Sequence, residues 1–240
     1  TVKGWAAPSL LDSYTTERAP VGKQIVARAN QSRFDYKYLK EVFGFDQGVT
    51  TQKQMLERIF AEDEQGAEIR QKMFKALAVK NYEFNAQGVE LNQRYTSNAV
   101  ISEAEPERFE RDQQLYLQAT TRPGAKVPHT WLVNANGQKQ STLDITGKGR
   151  FTLLTGLSGK GWKQATESLN LPYLDVIQIG SRDYRDVYGT WNAKSEIHES
   201  GAILVRPDGY VAWRYQDSTN DQFDFVNTLK AVLKQIQLTV

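Results

Sequence analysis

The clearest pattern of apolar and polar positions lies between residues 151 and 169. The stretch Phe151–Thr155 is short, largely apolar and bounded by Gly149 and Gly156, which is typical of a buried strand. A glycine-rich loop follows it. Residues at helical spacing, i, i+3, i+4 and i+7, then come at Trp162, Ala165, Thr166 and Leu169. The pattern predicts a central strand that continues through a loop into a helix.

The sequence around this stretch predicts a compact α/β domain over residues 119–240. We expect further strands at 129–133, 138–142, 174–179, 201–205 and 210–215, and a closing amphipathic helix at 221–236. The turns Asn134–Gly137 and Arg206–Gly209 predict two hairpins, residues 143–149 a loop, and residues 181–199 irregular structure. After residue 150 the order is strand, helix, strand, hairpin and helix, which is that of a thioredoxin fold.

The first 118 residues predict a mainly helical segment followed by a linker. Apolar residues recur at helical spacing up to residue 80, and we interpret these stripes as faces that pack against neighbouring helices. Pro20 predicts a helix that is bent or broken near Ala19, because proline removes a backbone hydrogen bond and clashes with the preceding turn. The alternation over residues 81–101 predicts two strands that turn at Gln87–Gly88, before a charged linker.

Composition narrows the possible chemistry. The 240 residues include no cysteine, which excludes disulfides and thiol catalysis and is compatible with a cytoplasmic protein. Only two histidines make a multi-histidine metal site unexpected, and a net charge of +2 provides no strong field for nucleic acid or anionic lipid. No apolar stretch has the length of a membrane span. Gly159-Lys160-Gly161 does not complete a phosphate-binding loop, which would require Ser or Thr after the lysine.

Five stretches resemble one protein family, in the same order and at compatible spacing. They are LLDSYTTERAPVGKQIVARANQS (10–32), NAQGVELNQRY (85–95), TTRPGAKVPHTWLV (120–133), STLDITGKGRFTLLTG (141–156) and GAILVRPDGYVAWR (201–214). Together they are similar to the C-terminal portion of flavin-dependent aromatic hydroxylases of the phenol hydroxylase type. The resemblance extends over nearly the whole chain.

The resemblance implies an enzyme as the parent protein. Members of the family use FAD and NADPH to insert one atom of dioxygen into a phenolic ring, ortho to the hydroxyl, and the flavin supplies the chemistry. It implies that residues 1–118 are the helical end of the FAD and substrate domain plus a linker. Residues 119–240 are then a thioredoxin-like domain without Cys-x-x-Cys. On this interpretation the chain contains no catalytic, cofactor-binding or metal-binding residue. Alone it is inactive and does not carry FAD.

The expected partners follow from the same resemblance. They are the N-terminal flavin domain, a phenolic small molecule and a second copy of the protein in a homodimer, with neither nucleic acid nor a membrane involved. The expected role of the fragment is structural: it mediates dimer contacts and covers the path of the substrate. The alternative is a stand-alone, non-catalytic association module with a thioredoxin-like fold.

Four residues are candidates for contacts with the flavin domain or the substrate path: Arg94, Tyr95, Arg122 and His129. Three of them have a simpler interpretation. Arg94 and Tyr95 can form an ordinary surface pair, and His129 can be a loop histidine whose ring bonds a backbone carbonyl. Arg206 and Asp208 flank a tight turn, and we interpret them as residues that stabilise it.

Overall fold

The structure is a computed structural model that describes residues 1–218 and 222–240. A 3₁₀ turn at Pro8–Leu11 precedes the helices, which are α1 (Asp12–Phe43), α2 (Val49–Ile59), α3 (Glu64–Val79), α4 (Asn81–Phe84), α5 (Gln87–Leu91), α6 (Thr142–Ile145), α7 (Lys160–Leu169), α8 (Thr190–Lys194) and α9 (Phe225–Gln235). The strands are β1 (Trp131–Asn134), β2 (Lys139–Ser141), β3 (Phe151–Thr155), β4 (Leu174–Gln178), β5 (Tyr184–Arg185), β6 (Ala202–Val205) and β7 (Val211–Tyr215).

The described residues form two compact units. The first unit contains residues 1–19, 92–110 and 118–240. The second contains residues 20–91 and 111–117 and is helical, with a small core in which Val42, Ile59 and Ala76 are buried. The first unit contains both sheets and every candidate site residue named above.

A four-stranded sheet in the order β4-β3-β6-β7 forms the centre of the first unit. Strand β3 is parallel to β4 and antiparallel to β6, and β6 and β7 form the predicted hairpin. All five residues of β3 are buried, so the prediction that Phe151–Thr155 is a central strand is confirmed. Leu153 and Leu204 face a core that includes residues of α7 and α9, whereas Leu154 and Ile203 face a second core on the opposite side.

The first core is organised around Trp162, in the first turns of α7. Its side chain is fully buried, and the indole N–H lies 3.0 Å from the carbonyl oxygen of Ser200 and 3.2 Å from the hydroxyl of Ser218. Its ring packs edge-on against a set of aromatic rings from β7 and the start of α9, namely Trp213, Tyr215, Phe223 and Phe225. One side chain therefore fixes α7 to two other parts of the unit, with its polar atom satisfied.

The second sheet has three strands in the order β2-β1-β5, all antiparallel. The predicted hairpin about Asn134–Gly137 is confirmed. The expected loop at 143–149 is in part wrong, since α6 begins at Thr142. Ser141 explains this helix, because its hydroxyl accepts a hydrogen bond from the Leu143 N–H while Asp144 accepts one from the Ser141 N–H.

Two other expectations in the C-terminal half need adjustment. Residues 181–199 are not wholly irregular, because they contain β5 and α8. The closing helix, expected at 221–236, runs from Phe225 to Gln235, and Asp224 accepts a hydrogen bond from the Asn227 N–H at its start. Asp221, where the helix was expected to begin, lies outside the described residues.

Of the bend or break predicted near Ala19, the break is wrong. Helix α1 continues through Pro20 as far as Phe43. Proline at this position leaves the carbonyl of Thr16 without its helical donor, but both residues are exposed, so water can bond that carbonyl. The cost of the proline is therefore small enough for the flanking turns to carry the helix through.

The two strands predicted within residues 81–101 are also wrong. The segment forms the short helices α4 and α5. The N–H groups of Gly88 and Val89 bond the carbonyl oxygen of Gln114, and the Asn85 side chain bonds that of Asn81. These contacts satisfy the backbone and amide groups without a neighbouring strand, so the alternating pattern has no sheet to join.

A buried ion pair links the first turns of α1 to the β6–β7 turn within the first unit. The Arg206 guanidinium donates to both oxygens of Glu17, at 2.5 and 2.9 Å. It also donates to Asp208, which confirms that this pair stabilises the turn. Ser97 donates to Glu17 at 2.6 Å, so the buried carboxylate accepts three hydrogen bonds. A bidentate arginine pair with further donors is the arrangement that offsets the loss of hydration on burial.

We predict that Trp162→Ala lowers the free energy of unfolding by about 3–5 kcal/mol, because it leaves a large cavity where several rings meet. Trp131→Ala is the matched control. Its side chain is half exposed, and we expect it to cost less than about 1 kcal/mol. Urea unfolding followed by circular dichroism measures both. Equal losses for the two variants would contradict the central place of Trp162.

We predict that Glu17→Met lowers the free energy of unfolding by about 3 kcal/mol, because Arg206 is left buried without its main partner. The double variant Glu17→Met with Arg206→Met should recover part of that loss, since no unpaired buried charge remains. Asp46→Ala, which breaks an exposed pair with Lys40, should change the free energy by less than about 0.5 kcal/mol. A double variant that is additive in urea unfolding would show that the pair is not coupled.

Candidate functional site

Three arginines and three glutamates of the first unit form a cluster beside an open cavity of about 650 Å³. The glutamates are Glu103, Glu107 and Glu196, and the arginines are Arg94, Arg122 and Arg214. Arg94 binds both oxygens of Glu107, at 2.6 and 2.9 Å, and also donates to the Gln118 carbonyl. Arg122 lies 3.2 Å from Glu103. We call this set the arginine–glutamate cluster.

Arg214 joins the rest of the arginine–glutamate cluster. It donates to Glu103 at 3.0 Å and to Glu196 at 2.6 Å. Thr120 and Thr121 also donate to the Glu196 carboxylate. Most of the charged groups here are already paired with one another, so the cluster holds residues 103–110 and 118–122 in place rather than presenting free charge to a ligand.

The two glutamates with most donors are held in their charged form. Burial by itself would raise the pKa of Glu107, but hydrogen bonds from Arg94 and Gln118 outweigh it and lower the pKa below the ordinary value. The pKa of Glu196 is lowered in the same way, against its burial, by Thr120, Thr121 and Arg214. Both contributions to stability are present above the ordinary glutamate pKa and are lost as the pH falls through the lowered values.

Tyr95 lies in a different place from its neighbour Arg94. Its ring is buried, 4.3 Å from the ring of Tyr210, and its hydroxyl accepts a hydrogen bond from Arg18 at 2.6 Å. Its backbone N–H donates to the Gly124 carbonyl, and a Cβ at Gly124 would lie 2.2 Å from the Tyr95 carbonyl oxygen. This close approach, at φ +91°, requires the glycine of the Arg122-Pro123-Gly124 sequence.

Tyr95 lines a cavity of about 580 Å³, which we call the α1 cavity. Its walls come from the first turns of α1, the β6–β7 turn and the end of α9, and its lining residues include Leu10, Leu11, Tyr14, Glu17, Arg18, Tyr95, Ala99, Phe151, Arg206, Asp208, Tyr210 and Ile236. Tyr210 donates to Gln93 at 3.1 Å, and burial raises the pKa of Tyr210 well above the ordinary tyrosine value, so its hydroxyl stays protonated at neutral pH.

His129 is exposed at the entry to β1. Its Nδ1 lies 2.7 Å from the Ser141 hydroxyl, and its ring meets the Trp131 ring edge-on at 4.9 Å. The expectation that the ring bonds a backbone carbonyl is wrong, because the nearest partner across the β1–β2 hairpin is a serine side chain. The carbonyl of His129 accepts instead from Lys194.

The loop between β3 and α7 leaves little room for a ligand. A Cβ at Gly156 would lie 2.5 Å from the Glu199 carbonyl oxygen, and one at Gly159 would lie 1.7 Å from the Thr155 hydroxyl oxygen. Ser158 donates to the Glu199 carboxylate. The glycines therefore serve close packing between this loop and the segment before β6.

The four candidate residues do not meet at one place. Arg94 and Arg122 belong to the arginine–glutamate cluster, Tyr95 to the α1 cavity, and His129 to the β1–β2 hairpin. The interpretation of Arg94 and Tyr95 as an ordinary surface pair is wrong, because Tyr95 is buried and Arg94 is largely covered. Sequence reasoning missed their partners Glu107 and Arg18. The proximity of Tyr95 to the Glu17-Arg18 dipeptide arises only from the fold.

The described part of the chain has neither a candidate metal site nor a candidate membrane span. Residues 1–218 and 222–240 contain no group of three His, Asp or Glu side chains placed to hold a metal ion. None of the helices described has both the length and the apolar character needed to cross a bilayer.

Comparison with known proteins gives consistent matches. Residues 120–236 match the family model described as aromatic-ring hydroxylase, C-terminal. The chain is 40% identical to 2,4-dichlorophenol 6-monooxygenase of Cupriavidus pinatubonensis, over 97% of this chain and 40% of that protein. It is 40% identical to phenol 2-monooxygenase of Pseudomonas sp. strain EST1001, over 92% of this chain and 37% of that protein. The chain thus spans about 40% of the length of these relatives.

Solved structures that match this chain also belong to flavin-dependent hydroxylases. The flavin-dependent monooxygenase PieE, in complex with FAD and substrate, superposes with a TM-score of 0.88 at 40% identity, over 98% of this chain and 41% of that one. Aklavinone-11 hydroxylase, in a ternary complex with FAD and aklavinone, superposes with a TM-score of 0.63 at 26% identity, over 98% and 36%. The family resemblance seen in the sequence is confirmed. Residues 120–236 are the C-terminal domain of aromatic-ring hydroxylases, and the whole chain is similar to the C-terminal part of flavin-dependent aromatic monooxygenases.

Proposed function

We propose that this chain is the C-terminal part of an FAD- and NAD(P)H-dependent monooxygenase that hydroxylates a phenolic ring ortho to its hydroxyl. The single observation that carries the proposal is the superposition on PieE over 98% of this chain, together with 40% identity to two phenol-type monooxygenases. The flavin and the reductant supply the redox chemistry, and the protein supplies position and a dry site. Because such an enzyme takes its NADPH from the cytoplasm, we propose that the enzyme is located there.

We propose that residues 119–240 form a thioredoxin-like domain and that residues 1–118 are the helical remainder of the FAD and substrate domain plus a linker. The sheet order β4-β3-β6-β7, with β3 parallel to β4 and followed by a hairpin and a helix, supports the fold. A redox function in this domain has no support, since the sequence has no cysteine. Segments 1–19 and 92–110 belong to the same compact unit as residues 118–240. The proposed boundary at residue 118 therefore indicates which domain of the family each segment corresponds to, and not which segments pack together.

The helical N-terminal half leaves large apolar side chains uncovered, which supports a flavin domain as its partner. In α1, the exposed fractions of Leu11 and Tyr14 are 64% and 71%. In the second unit, Ile25 and Leu56 are about half exposed, and Phe60 is 80% exposed although its neighbour Ile59 is buried. Uncovered apolar side chains in such number mark a missing partner or an association surface.

The four candidate residues retain a proposed role in the contacts of the flavin domain or the substrate path. Arg122 lines the cavity of the arginine–glutamate cluster and Arg94 reaches it through Glu107. Tyr95 lines the α1 cavity, and His129 is exposed beside Trp131. Arg122, Tyr95 and His129 are thus at a cavity or at the surface, where a domain or a small molecule can reach them.

We predict that a longer protein, in which this chain is preceded by its natural upstream sequence, purifies with flavin absorbance in the visible range and oxidises NADPH when a phenol is added. This chain alone should be colourless and should quench FAD fluorescence only weakly, because no phosphate-cradling loop at a helix start was found in its sequence. Absorbance, NADPH consumption and chromatographic detection of the catechol product are the measurements.

The alternative, a stand-alone association module, predicts different results. A longer protein that is colourless and inactive with NADPH and phenols would favour it. Tight one-to-one binding of FAD by this chain alone would contradict the assignment of the flavin site to the upstream domain.

We predict that the chain forms a dimer at micromolar concentration, because its uncovered apolar side chains favour self-association. Light scattering should give twice the mass of one chain. The double variant Leu56→Glu with Phe60→Glu should shift the equilibrium to the monomer. Leu157→Glu, which alters an equally exposed leucine of the first unit, should leave the mass unchanged. A wild-type monomer, or equal effects of both variants, would contradict this prediction.

A further inference from the structure

The second unit contains a cavity of about 680 Å³ between helices α1, α2 and α3, which we call the three-helix cavity. Its volume lies within the usual range for small-molecule sites. The lining residues are Tyr38, Glu41 and Val42 of α1, Met55 and Arg58 of α2, and Ile69, Lys72, Lys75, Ala76 and Val79 of α3. All of them lie within residues 20–91, so a single compact unit forms the cavity.

The spacing of residues along the helices explains how this lining arises. On α2, Met55 and Arg58 are three residues apart, and on α3 the steps from Ile69 to Lys72 and from Lys72 to Ala76 are three and four. Residues at these spacings lie on the same side of a helix. Each of the three helices therefore contributes both apolar and charged side chains to the cavity.

The inner wall of the three-helix cavity is aliphatic. Val42 and Ala76 are buried and belong to the small core of the second unit, and Met55, Ile69 and Val79 are partly buried. An aliphatic group that enters the cavity gains affinity with each CH₂ group that leaves water. The wall therefore favours an aliphatic ligand over a purely polar one.

Exposed cations outnumber carboxylates around this wall. The cations are Arg58, Lys72 and Lys75, and the lining residues include one carboxylate, that of Glu41. Among the residues that the structure describes, none of these four side chains has an ion-pair or hydrogen-bond partner. The charges of the arginine–glutamate cluster, in contrast, are mostly paired. An excess of unpaired cations attracts an anion and repels a cation.

From the aliphatic wall and the unpaired cations beside it, we propose that the three-helix cavity binds a small amphipathic anion, namely a carboxylate with an aliphatic chain. The chain packs against Val42, Met55 and Ala76, and the carboxylate faces the cations of α2 and α3. An alcohol of the same length would leave these cations unpaired, and an amine would meet them as like charges. The proposal does not rest on the monooxygenase function, because its ligand is neither a phenol nor a flavin.

The two methionines of the chain provide a reporter and an internal control. Met55 lines the three-helix cavity, whereas Met73 packs against the same core without lining the cavity. The test follows the ¹³C-methyl methionine resonances of the complete chain, assigned by the loss of one signal in Met55→Leu. Octanoate should shift the Met55 resonance saturably and leave that of Met73 unchanged.

Probes of equal chain length test the selectivity for an anion. 1-Octanol should bind about tenfold more weakly than octanoate, because it lacks the charge, and octylammonium more weakly still. Added salt should weaken the binding of octanoate but not that of 1-octanol. An unchanged Met55 resonance, equal shifts of both methionines, or an equal response to 1-octanol or octylammonium would overturn the proposal.

Charge variants locate the carboxylate. Lys72→Gln with Lys75→Gln should weaken octanoate binding about fivefold and leave 1-octanol unchanged. The matched control is Lys23→Gln with Lys53→Gln, which removes the same charge from exposed lysines of α1 and α2 that do not line the cavity. Glu41→Gln, which removes the lining carboxylate, should tighten octanoate binding about twofold.

These variants alter exposed side chains, and the thermal unfolding midpoint of each checks its fold. Equal effects of the two double lysine variants would show general attraction by the net charge, and would overturn the proposal. Weaker or unchanged binding of octanoate by Glu41→Gln would do the same, since the cavity cations would then not act on the ligand.

The longer protein separates a ligand site from a surface that upstream sequence covers. We expect octanoate to shift the Met55 resonance there as well. A Met55 resonance that responds in this chain but not in the longer protein would show that the cavity is covered, and would overturn the proposal. Flavin absorbance and NADPH oxidation are independent measurements, so the monooxygenase assignment can fail while octanoate binding persists, and the reverse.

Discussion

The burial of Trp162 is the interaction on which the first unit depends most. The indole is large enough to contact β7 and the segment leading into α9 at once, and its N–H bonds groups next to β6. Because its polar atom is satisfied, the side chain gains the full benefit of burial without leaving an unpaired donor. A Cβ at the neighbouring Gly161 would lie 2.4 Å from the Phe225 ring, so the glycine lets that ring close over the start of α7.

The same close packing leaves little room at the sheet end between β3 and α7, where the loop glycines bring backbone into contact with backbone and with Glu199. The clusters of charged side chains lie elsewhere in the first unit. The arginine–glutamate cluster fixes an otherwise irregular segment, and the Glu17–Arg206 pair fixes the start of α1 beside the α1 cavity.

The arginine–glutamate cluster and the Glu17–Arg206 pair lie in different surroundings. In the arginine–glutamate cluster, opposite charges are matched by direct hydrogen bonds, which favours a structural role. Beside the α1 cavity, Glu17 and Arg206 are buried and paired with each other, whereas the exposed Arg18 bonds the Tyr95 hydroxyl.

The regular elements after residue 119 were largely predictable because local pattern and burial agree there. The strand Phe151–Thr155 is apolar throughout and lies inside the sheet, and the Asn134–Gly137 and Arg206–Gly209 turns have residues that fix a hairpin locally. Prediction failed where a remote contact outweighed the local pattern. Apolar residues alternate within residues 81–91 as in a strand, yet the segment forms α4 and α5, and the N–H groups of Gly88 and Val89 bond the Gln114 carbonyl.

The sequence by itself determined the family, the order of strands and helices in the C-terminal half, and the absence of thiol chemistry, since each follows from residue types and their spacing. Only the tertiary structure decided that Arg94 pairs with Glu107 whereas Tyr95, its neighbour, packs against Tyr210 and bonds Arg18. It also decided that Glu17 meets Arg206 across most of the chain length. The physical reason is that pairing of charges and sharing of a cavity depend on distances in space, which the spacing of residues along the chain does not specify.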